Sequence, residues 1–218
     1  MPKTRIALIH AVAVAIEPVQ SAFKELWPEA DVVNIFDDSL SPDRARDADL
    51  TPAMTGRIVD LGRYALATGA DGILYTCSAF GPAIEAFAKT TDRPVLKPNE
   101  AMFRRALKAG KRIGMLATFP PSVASMEEEF RQMADEEKVS ATIQTVLDAD
   151  AMVALKQGDA ATHNKRLAEA SSQLAGCDAI LLAHFSTSRA FEAVSAVVPC
   201  PVLTSPGAAV EELRQRCG

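Results

Sequence analysis

Short apolar runs recur along the chain, separated by longer stretches in which apolar positions return every three or four residues. The runs predict strands at 5–10, 31–36, 71–76, 94–97, 112–117, 141–146, 179–184 and 201–204. The longer stretches predict helices at 18–27, 52–68, 80–89, 99–109, 121–137, 149–157, 160–175, 187–196 and 206–216. Glu17-Pro18 and Thr51-Pro52 read as helix starts, with proline at the first helical position. Gly69, Gly110 and Gly176 follow helices, where a left-handed residue is expected. The polar stretch 37–50 (DDSLSPDRARDADL) has no periodicity and reads as a loop long enough to cover a site. Strands alternating with helices imply βαβ units and parallel sheet.

An internal repeat organises these elements. Residues 71–101 align without a gap on 178–208, at an offset of 107. The offset matches Asp71 with Asp178, Ile73-Leu74 with Ile180-Leu181, and Ala83 with Ala190. It also matches Glu85-Ala86 with Glu192-Ala193, Pro94-Val95-Leu96 with Pro201-Val202-Leu203, and Arg5-Ile6 with Arg112-Ile113. The expected fold is therefore α/β. It comprises two pseudo-symmetric, doubly wound (flavodoxin-like) parallel-sheet lobes from an internal duplication, at about 1–107 and 108–214. Residues 215–218 form a tail, and the C-terminal helix is a candidate to pack on the other lobe. Doubly wound units bind ligands at the carboxyl ends of their strands, so the expected site is the cleft between the lobes. Within the repeat Cys77 falls opposite His184, each read as ending a strand and preceding a helix. His10, at the end of the first strand, falls opposite Ala117, and Ala11 opposite Thr118.

Composition narrows the function. Among 218 residues, 48% are hydrophobic and 23% charged, enough for a sizeable core. The net charge of −5 argues against a nucleic-acid partner. No apolar run reaches membrane-spanning length, and the N-terminus reads as a first strand rather than an export leader. Four cysteines without paired spacing (Cys77, Cys177, Cys200, Cys217) fit a reducing cytoplasm and define neither a disulfide framework nor a zinc site. Neither GxGxxG after a strand nor GxxxxGK[ST] occurs, so no cofactor and no metal is expected.

A thiol and an imidazole at equivalent positions suit proton transfer at a carbon next to a carboxylate. Such chemistry needs a base on one face, an acid on the other, and donors for the developing enolate. A helix N-terminus and polar neighbours are expected to lower the Cys77 pKa, and His184 to titrate near neutrality. Ser78 and Ala79 beside Cys77, Asn99 after the fourth strand, Thr118 and Phe119 after the fifth, and Phe185, Ser186 and Thr187 after His184 are the candidate substrate contacts, together with His10.

At these residues the chain resembles the cofactor-independent aspartate/glutamate/hydantoin racemase superfamily. "RIGMLATFPPSV" (112–123) is similar to its strand-plus-LAT segment, and "YTCSAFG" to its first cysteine segment. The resemblance covers essentially the whole chain and implies two pseudo-symmetric α/β domains with the active site between them. It also implies a small carboxylate or amino-acid-like substrate and a homo-oligomer. Of the family's two catalytic cysteines the first corresponds to Cys77. The second does not carry over, because "LAHFSTS" puts His184 at its position. Cys177 and Cys200 precede their strands, on the wrong side. Three readings follow. One is a Cys77/His184 racemase or epimerase. Another is a single-thiol relative resembling arylmalonate decarboxylases and maleate isomerases. The third is a diverged carboxylate-binding protein.

Other chemistry stays open at this point. A Cys–His hydrolase would need thiol and imidazole in direct contact, and two α/β lobes also suit a binding protein. Asn99, Ser78, Ser186 and Thr187 have a structural alternative as helix caps. His163, in a polar helical stretch, is expected to be solvated, and Glu127-Glu128-Glu129 and Asp135-Glu136-Glu137 to form a solvated face. Cys177, Cys200 and Cys217 read as structural.

Overall fold

The computed structural model describes residues 3–47 and 49–218, with Pro121 described by its backbone alone. Met1 and Pro2 of the expected first lobe, and Ala48 of the 37–50 segment, lie outside the described residues. The strands are β1 (Arg5–His10), β2 (Asp31–Phe36), β3 (Gly72–Tyr75), β4 (Val95–Leu96), β5 (Arg112–Ala117), β6 (Thr142–Leu147), β7 (Ala179–Leu182) and β8 (Val202–Thr204). The helices are α1 (Ile16–Leu26), α2 (Leu40–Arg44), α3 (Pro52–Ala67), α4 (Gly81–Ala88), α5 (Glu100–Ala109), α6 (Pro120–Glu136), α7 (Ala149–Lys156), α8 (Ala160–Ala170), α9 (Phe191–Ser195) and α10 (Ser205–Cys217).

The chain divides into two compact units, one of residues 1–98 with 209–218, the other of 99–208. The repeat's midpoint, 107/108, falls inside α5, whereas the contact boundary falls just before α5. The reason is visible in the packing: Met102, Phe103 and Ala106 of α5 are buried in the second unit's core.

Each unit holds one four-stranded, all-parallel sheet. The orders are β2-β1-β3-β4 and β6-β5-β7-β8. Registers repeat at the same offset as the sequence: Ile6 faces Gly72 where Ile113 faces Ala179, and Ile73 faces Val95 where Ile180 faces Val202. Central strands buried on both faces need continuous apolar runs. In the second unit Ile113, Met115 and Leu181 pack on α5 and α6, while Leu116, Ile180 and Leu182 pack toward α7, α8 and α9. In the first unit Ala7, Ile9, Ile73 and Tyr75 share a core with α3 and α4.

The matched Arg-Ile and Asp positions have a physical cause. Backbone N–H groups of Arg5 and Arg112 donate to the carboxylates of Asp71 and Asp178 at 3.0 and 2.8 Å. The Asp71 and Asp178 N–H groups donate back to the Arg5 and Arg112 carbonyls. Each reciprocal pair locks the first strand of a unit to the start of its third. Of the three glycines expected to be left-handed only Gly69 is so, at φ 82°. Gly110 is extended at φ 172°. It is needed instead for space, since a β-carbon there would lie 2.2 Å from Asp178 Cβ.

The 37–50 segment departs from the loop expectation. It contains α2, and Leu40 is only 1% exposed, set into the first unit's core. Burial of one leucine is worth about 1.5–3 kcal/mol, which a period-based reading misses in a five-residue helix. Arg57 of α3 holds the segment from outside, donating to Asp43 at 2.7 Å, Asp37 at 2.8 Å and Ser39 Oγ at 2.6 Å. The expected helix 187–196 is a 3-10 turn (Ser186–Ala190) followed by α9, and 160–175 likewise ends in a 3-10 turn at Ser171–Leu174. No helix among the described residues is long and apolar enough to cross a membrane.

Candidate active site

In the first unit Cys77 lies two residues past β3, extended at φ −126° and ψ 123°, and leads into the 3-10 turn Ser78–Phe80 and α4. The half-buried thiol packs against the core beneath it. The lowered pKa expected for it is not found. Burial pushes the thiol up and dominates; the Ala79 N–H on sulfur and the charge of Arg44 pull the other way without overcoming it. Cys77 is thus a neutral thiol, a proton donor in its resting form. Arg44 is the residue that sequence reasoning missed. It sits on α2, and its Nε donates to the Ala79 carbonyl at 3.4 Å. No motif marked it, because α2 is held by tertiary contacts.

Ser78 is half-buried and Ala79 exposed, and the Ser78 side chain caps neither the turn nor α4. His10 is fully buried, with Nδ1 2.9 Å from Thr76 Oγ1 and Nε2 2.9 Å from Asn34 Oδ1. Burial lowers its pKa, with the Asn34 bond opposing. It ties the end of β1 to Asn34 of β2 and to Thr76, which follows β3 and directly precedes Cys77.

In the second unit the strand ends differ from expectation. β7 stops at Leu182, so His184 does not end a strand; it adopts a left-handed backbone at φ 72°. That conformation costs a non-glycine residue roughly 1–2 kcal/mol. It is secured by Thr187, whose hydroxyl is directed at the Ala183 and His184 carbonyls instead of capping a helix. Cys77 and His184 therefore match in sequence offset but not in backbone. The His184 ring meets Ser122 Oγ through Nε2 at 3.1 Å and stands edge-on to Phe119, with centroids 6.4 Å apart. Burial lowers its pKa to about 4, so it does not titrate near neutrality as expected.

Thr118, just after β5, is 1% exposed, and its Oγ1 has no hydrogen-bond partner among the described residues. A buried hydroxyl left unmatched costs stability unless something else fills the bond. Phe119 is exposed, Phe185 buried and Ser186 6% exposed. Asn99 precedes α5 but does not cap it; its Oδ1 accepts from Ser205 Oγ at 2.9 Å, in a buried pair. Within this unit the structure brings together Phe119, Ser122 and His184, with Thr118 next to Phe119 in the chain, and pairs Asn99 with Ser205.

His163 also departs from expectation. It is fully buried, with Nδ1 2.8 Å from Asn164 Oδ1 and Nε2 unmatched among the described residues. Helical periodicity misread it because the bulk of α8's polar face hides one inward position. No cluster of three or more metal-ligating side chains occurs among the described residues.

Residues 11–175 match the family model described as Asp/Glu/Hydantoin racemase. The chain belongs to this family. Membership supports an isomerase-type enzyme of the racemase kind. Solved structures share the fold. A glutamate racemase from Thermus thermophilus is 19% identical at TM-score 0.70, with 98% of this chain and 80% of that one covered. An aspartate racemase from Picrophilus torridus is 18% identical at TM-score 0.69, covering 99% and 94%. An unliganded arylmalonate decarboxylase is 18% identical at TM-score 0.66, covering 99% and 93%. No curated protein matches. The racemase fold thus agrees with the expected α/β class: two four-stranded parallel sheets flanked by helices.

Proposed function

We propose that this racemase-family protein moves a proton at the carbon α to the carboxylate of a small, amino-acid-like substrate, with Cys77 delivering it. The observation that carries the reading is the neutral Cys77 thiol at the carboxyl end of β3, beside a backbone N–H and a guanidinium that would stabilise the thiolate left behind. The S–H bond breaks as the new Cα–H bond forms, and the electron pair stays on sulfur. His184 is the partner of this reading. Its neutral imidazole has a lone pair to accept the proton leaving Cα, and becomes imidazolium. The Thr118 hydroxyl, with Ser78, Ser186 and nearby amides, is the proposed holder of the carboxylate. Its unmatched oxygen supports that role. His10 and Asn99 act here as supports, because their side chains are already bonded inside the protein.

A second reading has its own support. An imidazole with a pKa near 4 is a weak base at neutral pH, which favours a single-thiol reaction where loss of CO2 supplies the carbanion and Cys77 protonates it. The reading carries a cytoplasmic location and a homo-oligomer with it, testable by fractionation and sedimentation.

The test is deuterium incorporation at Cα in D2O across glutamate, aspartate, hydantoins and substituted malonates. Wild type is compared with Cys77→Ala and His184→Gln. Exchange lost in both variants supports the two-residue form. CO2 release that needs Cys77 but not His184 supports the second. Exchange indifferent to Cys77 sinks both.

A further inference from the structure

The hydrogen bonds around His184 determine which of its nitrogens can take a proton. Ser122 lies in the first turn of α6, and its Oγ has two neighbours: the Phe119 carbonyl oxygen at 2.9 Å and His184 Nε2 at 3.1 Å. A serine hydroxyl has one proton and two lone pairs. A carbonyl oxygen can only accept, so the shorter contact consumes the Ser122 proton. With the proton assigned to that shorter contact, the contact to His184 is made by the imidazole donating from Nε2. In the neutral ring the lone pair is left on Nδ1. No described residue bonds Nδ1.

We infer that Ser122 is a positioning residue that holds His184 in its Nε2–H tautomer, so that Nδ1 is the atom through which His184 exchanges protons. Three further features keep that geometry. Phe119 closes the ring's flank edge-on. The left-handed backbone at His184 sets the direction of its side chain, and Thr187 secures that backbone. Phe119 also supplies the carbonyl that orients the Ser122 hydroxyl, so one short segment, 119–122, handles both contacts. The sequence could not have shown this. Ser122 is separated from His184 by 62 positions and carries no motif of its own.

The inference deepens the proposed proton transfer at His184, and its test is read without turnover. In uniformly 15N-histidine-labelled full-length protein at pH 7, long-range imidazole correlations report which nitrogen is protonated. His10 and His163 are separated from His184 by the signals that His184→Gln removes. Expected in wild type is a neutral ring with protonated Nε2 and bare Nδ1. Ser122→Ala should shift the tautomer ratio toward Nδ1–H by roughly fivefold, the worth of one net hydrogen bond, while Ser122→Thr should restore the wild-type shifts. A wild-type ring protonated at Nδ1 overturns the inference, as does a Ser122→Ala spectrum with unchanged nitrogen shifts. Failure of the proposed function would appear separately, as Cα exchange that ignores Cys77 while the tautomer result stands.

Discussion

Acidification should destabilise the protein through His184 by an amount that can be worked out beforehand. Burial lowers its pKa from 6.5 to about 4 in the native state, and the unfolded chain returns it to 6.5. Between those values the unfolded state binds a proton that the native state refuses, so stability falls as pH falls. Above pH 6.5 the ring is neutral in both states and contributes no pH dependence. Below pH 4 the loss is complete. The difference of about 2.5 units at 1.36 kcal/mol per unit comes to about 3 kcal/mol. His10 and His163 have their pKa values lowered chiefly by burial too and add loss of the same sign, so the comparison must isolate one ring. Urea unfolding, followed by far-UV circular dichroism from pH 7 to pH 4, is measured on wild type and His184→Gln. The wild type should lose about 3 kcal/mol more than the variant, a relative midpoint shift of about 2 M for a unit of this size. Equal losses in the two proteins would refute the reasoning, and a His184 ring that NMR shows titrating near 6.5 would do so directly.

Other outcomes test other parts of the structure. Cys77→Ala should cut Cα exchange by about 10²–10⁴-fold, the range of a general acid, while leaving the unfolding midpoint nearly unchanged, as read by deuterium incorporation and thermal melts. Thr118→Val keeps the shape but removes a buried, unmatched hydroxyl. The melting temperature should therefore hold or rise while KM increases about tenfold; a lower melting temperature would show the hydroxyl already satisfied. Arg57→Ala releases three contacts on the 37–44 segment, and limited proteolysis within that segment should quicken about tenfold. Gly110→Ala forces a β-carbon into Asp178 and should cost about 1–3 kcal/mol in urea unfolding.

The eight strands and their grouping into two similar halves were legible from the chain alone. Buried parallel strands demand continuous apolar runs, and a duplicated unit keeps the residues that lock its own strands, as Asp71 and Asp178 do. The position of Cys77 beyond a strand's carboxyl end was legible for the same reason, since strand ends follow from where the apolar run stops. What lay beyond local pattern was decided by contacts distant in sequence. Leu40 makes a helix of a polar stretch by entering the core, and Arg57 pins it. Helical periodicity put His163 in water, but the fold buries it. The left-handed turn at His184 comes from Thr187 and the packing around it, so two residues matched by a constant offset adopt different backbones. Protonation belongs to the same class. The sequence supplied a thiol and an imidazole with their ordinary affinities. Burial then moves both affinities, raising the thiol against the pull of an amide and a guanidinium and lowering the imidazole. Periodicity is a property of neighbours along the chain, and desolvation is a property of neighbours in space.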